Sequence, residues 1–291
     1  MRGGGSFTAV LAPEAIWRYH AGVTTHSKAS LIAILLCGSL WALQSHLGLR
    51  ERRSQEYEYE MQNPTDDPPD AYEEGEFAFA RLRYRSGGRG FRGDSWGTDS
   101  NKAERVFLTG VRRLTGIHAR SVEQIVDIDS DEIFDWPWLY AVEVGDWELD
   151  ESQAARLREY LNRGGFLMVD DFHGSREWAA FEYGLHQVFP DRAVVDIEDE
   201  DEIFHVLYEL DERFQVPGLQ YVRSGRTYER DGVAPLWRAV YDEDGRIVVA
   251  ICHNMDLGDA WEWADEPRYP EPYTALAYRI GINYILYAMT H

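Results

Sequence analysis

The stretch ESQAARLREYLNRGGFLMVDDFHGS, residues Glu151–Ser175, decides the fold. Its first half places apolar side chains at helical spacing, which predicts an amphipathic helix. Gly164 and Gly165 follow at once, where the end of a helix needs a residue that tolerates a positive φ angle. The wholly apolar run Phe166–Val169 then predicts a short strand that is covered on both faces. Helix, turn and buried strand together form the repeating unit of a parallel α/β sheet.

The chain from residue 77 onward continues this alternation. The acidic turn Asp242–Gly245 is a hairpin signal between two apolar runs, so the strands on either side of it should be antiparallel. We therefore predict an α/β fold with a mostly parallel sheet, helices on both faces and one antiparallel hairpin. The further predicted strands are 77–84, 121–128, 139–144, 193–197, 236–241 and 246–252. The further helices are 101–115, capped by Asp99 or Ser100, 176–189 and 273–291, with a helical turn or two at 201–210. Segment 217–233 is predicted to be loop-rich and segment 253–272 to be a long loop.

Residues 29–43, ASLIAILLCGSLWAL, carry no charge and resemble the apolar region of a secretory signal. A complete membrane span needs roughly 20 apolar residues, so the run is short for a span. We predict residues 1–49 to be a signal or membrane-anchor segment, which makes the protein extracytoplasmic (periplasmic or secreted) or membrane-anchored. The alternative is a buried helix of a cytoplasmic protein.

The next segment, residues 50–75, is charged, contains proline and is almost free of aliphatic side chains. Such a composition is typical of a linker, because it offers little apolar surface to bury. The folded α/β domain is therefore predicted to span residues 76–291.

The formal net charge of −22 limits the classes of partner. Nucleic acids and anionic membrane surfaces favour a basic face, so both are excluded as general partners, and only the N-terminal segment is expected to meet a membrane. An unidentified protein or small molecule, a cationic ligand included, remains as the partner. Cys37 and Cys252 are the only cysteines, and they lie in an apolar run and a predicted strand, so no disulfide framework is expected.

Two carboxylates and an imidazole follow the Phe166–Val169 strand directly. Ligands of open α/β sheets bind outside the carboxyl ends of the strands, which is where Asp170, Asp171 and His173 lie. Because adjacent residues of a strand point to opposite faces, only one of the two aspartates can face the crevice. Asp171 and His173 are candidates for metal ligands or for an acid/base pair. The simpler interpretation is that Asp171 caps the next helix and His173 bonds within the loop.

A second polar group follows the strand at 246–252. It consists of His253, Asn254, Asp256 and Asp259, and it reaches the same crevice if that strand is parallel to Phe166–Val169. Together with Asp171 and His173 it would give a mixed nitrogen and oxygen ligand set, which suits zinc, manganese or iron. The candidate cofactor is therefore a divalent metal, held by these residues.

The aromatic side chains near this second group are candidates for ligand contact. Exposed aromatics beside carboxylates stack on sugars or anchor a partner protein, and Trp261 and Trp263 would serve in this way. The simpler interpretation is that they cover the edge of the sheet and are mostly buried. The full aromatic set is Trp136, Trp138, Trp261, Trp263, Tyr269 and Tyr273.

Several nucleotide-binding and hydrolase patterns are excluded by their spacing. The Gly- and Arg-rich loop Arg85–Asp99 lacks the order of a P-loop, and the G-x-G-x-x-G order at Gly88–Gly93 does not open a predicted helix, as a dinucleotide-binding loop requires. Ser175 lacks the flanking glycines of a nucleophile elbow, so a Ser-His-Asp triad is poorly supported.

Five ordered motifs resemble those of the bacterial domain-of-unknown-function 4159 family. They are FARLRY, WLYAVEVGDW, LREYLNRGGFLMVDDFHG, HNMDLGDAWEWAD and PRYPEPYTALAYRIGINYILYAMTH, and they cover the chain from about Phe77 to His291. The resemblance implies a fold similar to class I glutamine amidotransferase-like domains, which is a flavodoxin-like, doubly wound architecture. It also implies a signal or membrane segment in many members, in agreement with residues 29–43.

The resemblance implies no established activity, and comparison with the amidotransferase fold argues against glutamine hydrolysis. The nucleophilic cysteine of amidotransferases would stand after the Phe166–Val169 strand, where this chain has Asp170-Asp171-Phe172-His173. Thiol-dependent glutamine hydrolysis is therefore not expected. Two hypotheses remain: a non-catalytic binding or scaffold module of the bacterial envelope, and a metal-dependent hydrolase that uses Asp171, His173, His253 and Asp256.

Overall fold

The computed structural model describes residues 63–86 and 95–291. These residues form a seven-stranded sheet in the order β2-β1-β3-β4-β7-β6-β5. The strands are β1 Ala80–Arg83, β2 Gln124–Asp127, β3 Trp138–Val142, β4 Phe166–Asp170, β5 Val195–Asp196, β6 Leu236–Tyr241 and β7 Ile247–His253. The helices are α1 Lys102–Leu114, α2 Glu151–Asn162, α3 Gly174–Val188, α4 Gln220–Ser224, α5 Leu257–Glu262 and α6 Glu271–Thr290.

The sheet is mixed, as the sequence predicts. Strands β2, β1, β3, β4 and β7 are parallel to one another, whereas β6 is antiparallel to both β7 and β5. The predicted hairpin is therefore confirmed, and its second strand joins the parallel part of the sheet beside β4. The arrangement is a mostly parallel α/β fold, consistent with the flavodoxin-like class.

Alternate residues of β4 belong to two separate hydrophobic cores, one on each face of the sheet. Phe166 and Met168 pack with side chains from α1, α5 and α6. Leu167 and Val169 pack with side chains from α2 and α3. Because both faces are covered, every residue of β4 is buried, which explains its unbroken apolar run.

The opening stretch folds as its residues dictate. Asp150 begins α2 by accepting hydrogen bonds from the backbone N–H groups of Ser152 and Gln153, and the Gln153 side chain accepts one in return from the Asp150 N–H. Gly164 has a φ angle of +103°, which a residue with a side chain would adopt only with strain. The Tyr160 hydroxyl then bonds to both backbone groups of Phe166, at 3.1 and 3.2 Å, and so connects the end of α2 to the start of β4.

One local prediction is confirmed and two are wrong. The helical turn or two predicted at 201–210 is the single 3-10 turn Glu202–Phe204, which Asp201 caps through Ile203 N–H. The loop predicted at 253–272 contains α5. The cap of α1 is not Asp99 or Ser100 but Asn101, whose side chain bonds to Thr65 instead of to the helix.

Residues 63–75, in the second half of the predicted linker, lie against α1. Arg105 donates to the Thr65 carbonyl at 2.6 Å and forms an ion pair with Asp67 at 2.8 Å. Arg112 pairs with Asp70 at 2.7 Å. The chain therefore approaches the domain along this helix.

Within residues 63–86 and 95–291, no helix combines the length and the apolar character that crossing a membrane requires. The apolar run at 29–43 lies outside the described residues.

The close approach between α2 and the turn after it gives a stability prediction. A Cβ atom added at Gly165 would overlap the Tyr160 ring, so we expect Gly165→Ala to lower the free energy of unfolding by about 1–3 kcal/mol. Urea unfolding followed by tryptophan fluorescence measures this. Gly116→Ala is the matched control, because nothing lies within 4 Å of its added Cβ, and it should change stability by less than about 0.5 kcal/mol. Equal effects of the two substitutions would contradict the packing argument.

Candidate functional site

The candidate site lies at the carboxyl edge of the sheet, where β4 and β7 end side by side. Two backbone hydrogen bonds connect the loops that follow these strands: Asp171 N–H to the Met255 carbonyl at 3.1 Å, and Asn254 N–H to the Phe172 carbonyl at 3.0 Å. The two polar groups found in the sequence, after residue 169 and after residue 252, therefore meet at one edge. This follows from the parallel pairing of β4 and β7.

Asp170, the last residue of β4, holds α5 in place. Its Oδ2 atom accepts hydrogen bonds from the Tyr140 hydroxyl at 3.0 Å, from Leu257 N–H at 2.8 Å and from Gly258 N–H at 3.1 Å. The side chain is fully buried. Asp170 thus connects two strands to the first turn of the helix that carries Asp259, while its buried Oδ1 atom has no hydrogen-bond partner among the described residues.

Three carboxylates converge next to this contact. Asp99, Asp256 and Asp259 each offer one oxygen, and these oxygens all lie within 4.8 Å of one another. Asp256 begins α5, since its Oδ1 accepts from Asp259 N–H at 2.7 Å. Asp259 is held at both oxygens, by Leu219 N–H at 2.5 Å and by the Trp263 indole N–H at 3.0 Å. We call Asp99, Asp256 and Asp259 the acidic triad.

Asp99 comes to the triad from a distant part of the sequence, the segment that precedes α1. A buried arginine holds that segment: Arg81 of β1 donates to the carbonyls of Trp96 at 3.0 Å and Thr98 at 2.9 Å. Arg81 also forms a fully buried ion pair with Glu104 of α1. The Oδ2 atom of Asp99 is buried and has no hydrogen-bond partner among the described residues.

Two glycines leave room for the triad. A side chain at Gly258 would meet the Asp99 Oδ2 atom, and a side chain at Gly218 would meet carboxylate oxygens of Asp256 and Asp259. The triad therefore lies closely against the backbone of two segments, and that approach is available only to glycine.

A second group surrounds the loop between β4 and α3. The His173 Nε2 atom lies 3.2 Å from Asp171 Oδ1, so these two residues form a pair, whereas the buried Nδ1 atom has no partner among the described residues. Glu177 accepts from His173 N–H at 2.7 Å and pairs with Arg230 at 2.6 Å. Burial lowers the pKa of His173, which favours the neutral ring.

The N-terminus of α3 is occupied by side chains of the protein itself. The Asn254 side chain accepts from Gly174 N–H at 2.8 Å, and Asp231 accepts from Ser175 N–H at 3.0 Å. With His173 N–H bonded to Glu177, the first three N–H groups of this turn all have partners. These three groups would have to exchange a side-chain partner before they could stabilise an oxyanion.

Electrostatic crowding marks the whole edge. Burial raises the pKa of Asp99, Asp171 and Asp256 well above the usual range of a carboxyl, and neighbouring carboxylates raise each of them further. Burial also raises the pKa of Asp170 to about 7, and that of Glu262, with help from Asp259, to about 7. The negative charge here is therefore not neutralised by the described basic side chains.

Backbone strain is concentrated at the same edge. Among the described residues, the non-glycine residues with a positive φ angle are Asp99, Glu143, Asp171, Arg230 and Asn254. Each lies in the acidic triad or in the group around the β4–α3 loop, or directly beside them. Such conformations cost about 1–3 kcal/mol each and persist only where the surroundings fix them, which is common at functional sites.

The other predicted residues are placed as follows. His253 stacks on Phe172 at 4.8 Å, its Nε2 lies 3.3 Å from the Gly174 carbonyl oxygen, and burial lowers its pKa to about 4. Trp261 is fully buried against Phe107 at 4.4 Å and belongs to the core. Trp263 is half-buried, with the Lys102 ammonium 4.9 Å from its ring.

The remaining aromatics of the predicted set are mostly covered. Trp138 and Tyr269 are buried, and Trp136 and Tyr273 are half-buried. Tyr269 donates to the Pro217 carbonyl at 2.5 Å, which fixes the loop that carries Gly218 beneath the triad. The aromatic loop therefore covers and supports the edge of the sheet.

Sequence reasoning missed Asp99 and Glu262. Asp99 follows the Gly-rich loop and not the end of a predicted strand, so its position in the sequence did not indicate a residue of the site. Glu262 falls on α5, which was predicted as loop. A carboxylate just before a helix that packs on the carboxyl edge is the feature that would have indicated Asp99.

The raised pKa of Asp170 gives a prediction of pH dependence. The folded protein keeps this proton up to about pH 7, whereas the unfolded chain loses it near pH 4, so the metal-free protein should lose stability as the pH rises from 5 to 7.5. Asp170 alone contributes up to about 3 kcal/mol of this change. Urea unfolding in metal-free buffer measures it. Asp170→Asn keeps an acceptor for Leu257 and Gly258 N–H and should show a smaller slope; an unchanged slope would contradict the assignment.

Comparison with known proteins gives a family. The model of the domain-of-unknown-function family DUF4159 matches residues 78–289, which is more than half of the chain. No curated protein matches the chain at a significant level. The matched range contains the whole sheet, the acidic triad and the β4–α3 loop. The chain belongs to the DUF4159 family.

Proposed function

We propose that this domain is a binding module that takes a cationic ligand at the carboxyl edge of its sheet. The observation that carries the proposal is the group of buried carboxylates without matching positive charge: Asp99, Asp170, Asp171, Asp256 and Glu262 are all at least nine-tenths buried. A buried carboxylate is costly unless it is paired or protonated, so a bound cation would stabilise the folded state.

The arginine side chains near these carboxylates already form ion pairs with other residues. Arg81 is paired with Glu104 and bonded to two carbonyls, and Arg230 is paired with Glu177. Anionic ligands would meet repulsion from several carboxylates. The net charge of −22 points in the same direction and supports the exclusion of nucleic acid as a partner.

A binding role is favoured over acyl-transfer chemistry by the N-terminus of α3. Its N–H groups are bonded to Glu177, Asn254 and Asp231, so a substrate oxyanion would have to displace a side chain. Cys252 is buried within β7 and burial raises the pKa of its thiol, so it is no substitute for the absent nucleophile.

A metal-dependent hydrolase is the second candidate, and the Asp171–His173 pair is the observation that favours it. A histidine held by a carboxylate at 3.2 Å is an arrangement used in general base catalysis. The other ring nitrogen of His173, however, is buried and has no partner among the described residues, so a substrate would reach it only after a rearrangement.

The N-terminal segment adds a proposed location. We propose that residues 1–49 export or tether the domain, so that it acts in the bacterial envelope. Fractionation of cells that express the full chain measures this, and recovery of the intact chain with the cytoplasmic proteins would contradict it.

The binding proposal is tested by thermal unfolding of the full-length protein at constant ionic strength. We expect Ca²⁺, Mn²⁺ or spermidine to raise the midpoint by several degrees, and inorganic phosphate or citrate to leave it unchanged, because only cations offset the buried charge. Stabilisation by the anions alone would contradict the proposal. Release of p-nitrophenol from p-nitrophenyl acetate or phosphate by the Mn²⁺-treated protein, lost in His173→Gln, would favour the hydrolase.

A further inference from the structure

We propose that the acidic triad, Asp99, Asp256 and Asp259, binds one hard divalent cation such as Ca²⁺ or Mn²⁺. This inference rests on the proposed function and names its ligand. Three carboxylate oxygens from two distant segments lie within 4.8 Å of one another, which is close enough for a single ion to contact all of them.

The spacing of the triad suits the hard divalent cations as a class. Oxygens on opposite sides of Ca²⁺ lie about 4.6–5.2 Å apart, and those on opposite sides of Mg²⁺ about 4.2 Å apart. The triad oxygens lie within 4.8 Å of one another, so a single ion of this class can contact all three.

All three ligand atoms of the triad are carboxylate oxygens. The rings of His173 and His253 are directed to Asp171 and to the Gly174 carbonyl, and neither belongs to the triad. Hard cations such as Ca²⁺, Mg²⁺ and Mn²⁺ prefer carboxylate and carbonyl oxygens, whereas zinc favours nitrogen and sulfur. The set found in the structure thus differs from the mixed set expected from the sequence.

A fourth carboxylate provides an independent sign of a missing partner. Glu262 lies outside the triad and is only 2% exposed, and its Oε1 atom has no hydrogen-bond partner among the described residues. It lies near enough to Asp99 and Asp259 for their charges to interact. The Asp99 Oδ2 atom, within the triad itself, is likewise buried without a partner among the described residues. Because buried polar atoms in proteins nearly always have partners, these two oxygens support a bound cation.

Hydrogen bonds within the protein fix the side chains of the triad before an ion binds. Asp256 keeps Oδ1 bonded to Asp259 N–H, and Asp259 is fixed by Leu219 and Trp263. Arg81 fixes the backbone before Asp99. Because the ligands need little reordering, binding costs little conformational entropy.

The chain offers a matched control in a second cluster. His205, Glu209 and Asp211 also place three ligand atoms within 4.8 Å, but the Glu209 side chain is 71% exposed and the histidine ring already bonds to Glu209 and to the Asp199 carbonyl. Exposed acidic groups of this kind are stabilised by water and need no ion.

The test is isothermal titration of the chelator-treated full-length protein with CaCl₂ and MnCl₂. We expect one ion per chain for the native protein, at least tenfold weaker affinity for Asp99→Asn, and an affinity within twofold of the native value for Glu209→Gln. Asparagine tolerates the positive φ angle at residue 99, so this variant should fold. In metal-free buffer its thermal midpoint should equal or exceed that of the native protein, because one buried charge is gone.

Two results would overturn the assignment. One is the absence of saturable binding of either ion by the native protein; if spermidine still stabilised the protein, the broader binding proposal would survive and only the metal assignment would fail. The other is binding that Asp99→Asn leaves intact, with a loss in Glu209→Gln locating the ion at the exposed cluster.

Discussion

The hydrogen bonds to Asp170 are the interaction on which the candidate site depends. One buried carboxylate oxygen accepts from the Tyr140 hydroxyl and from the first two N–H groups of α5, at 2.8–3.1 Å. Charge-assisted bonds of this kind are stronger than neutral ones and partly offset the cost of burying the group. Because β3, β4 and α5 meet at this atom, the positions of Asp256 and Asp259 follow from it.

The same arrangement concentrates negative charge in a place that water hardly reaches. The edge holds more carboxyl groups than nearby arginine side chains. This excess accounts for the raised pKa values of Asp99 and Glu262 and for the buried oxygen on each that has no hydrogen-bond partner. A protein can tolerate this by protonation or by binding a cation. A cation is the alternative that also explains why the backbone is strained at Asp99 and Asp171, since strain is retained where a fixed geometry is needed.

Much of the fold could be predicted from local signals. The glycine turn at Gly164–Gly165 and the apolar run after it gave β4, and the acidic turn at 242–245 gave the hairpin, because each signal is complete within a few residues. The position of β7 beside β4 was only a condition in the sequence analysis, and the parallel pairing of the two strands meets it. At 201–210 the pattern predicted one or two helical turns and the structure has a single 3-10 turn, because a cap such as Asp201 does not fix the length of the helix that it starts.

The site was less predictable because its parts come together only in three dimensions. Helix α5 is short and contains Gly258, and its first N–H groups are satisfied by Asp170, which is far away in sequence. Asp99 depends on a buried arginine of β1, so nothing near it in the sequence indicates a ligand. The histidines, which suggested a zinc-type set, instead bond to Asp171 and Gly174.

The central claim is that the carboxyl edge of this sheet is built around a cation. The most direct measurement is the anomalous difference map of crystals of the full chain grown with Mn²⁺. The account predicts the strongest peak among the carboxylate oxygens of Asp99, Asp256 and Asp259, at about 2.0–2.6 Å from them. A map whose peaks lie only at other carboxylates, with these three side chains unligated, would contradict it.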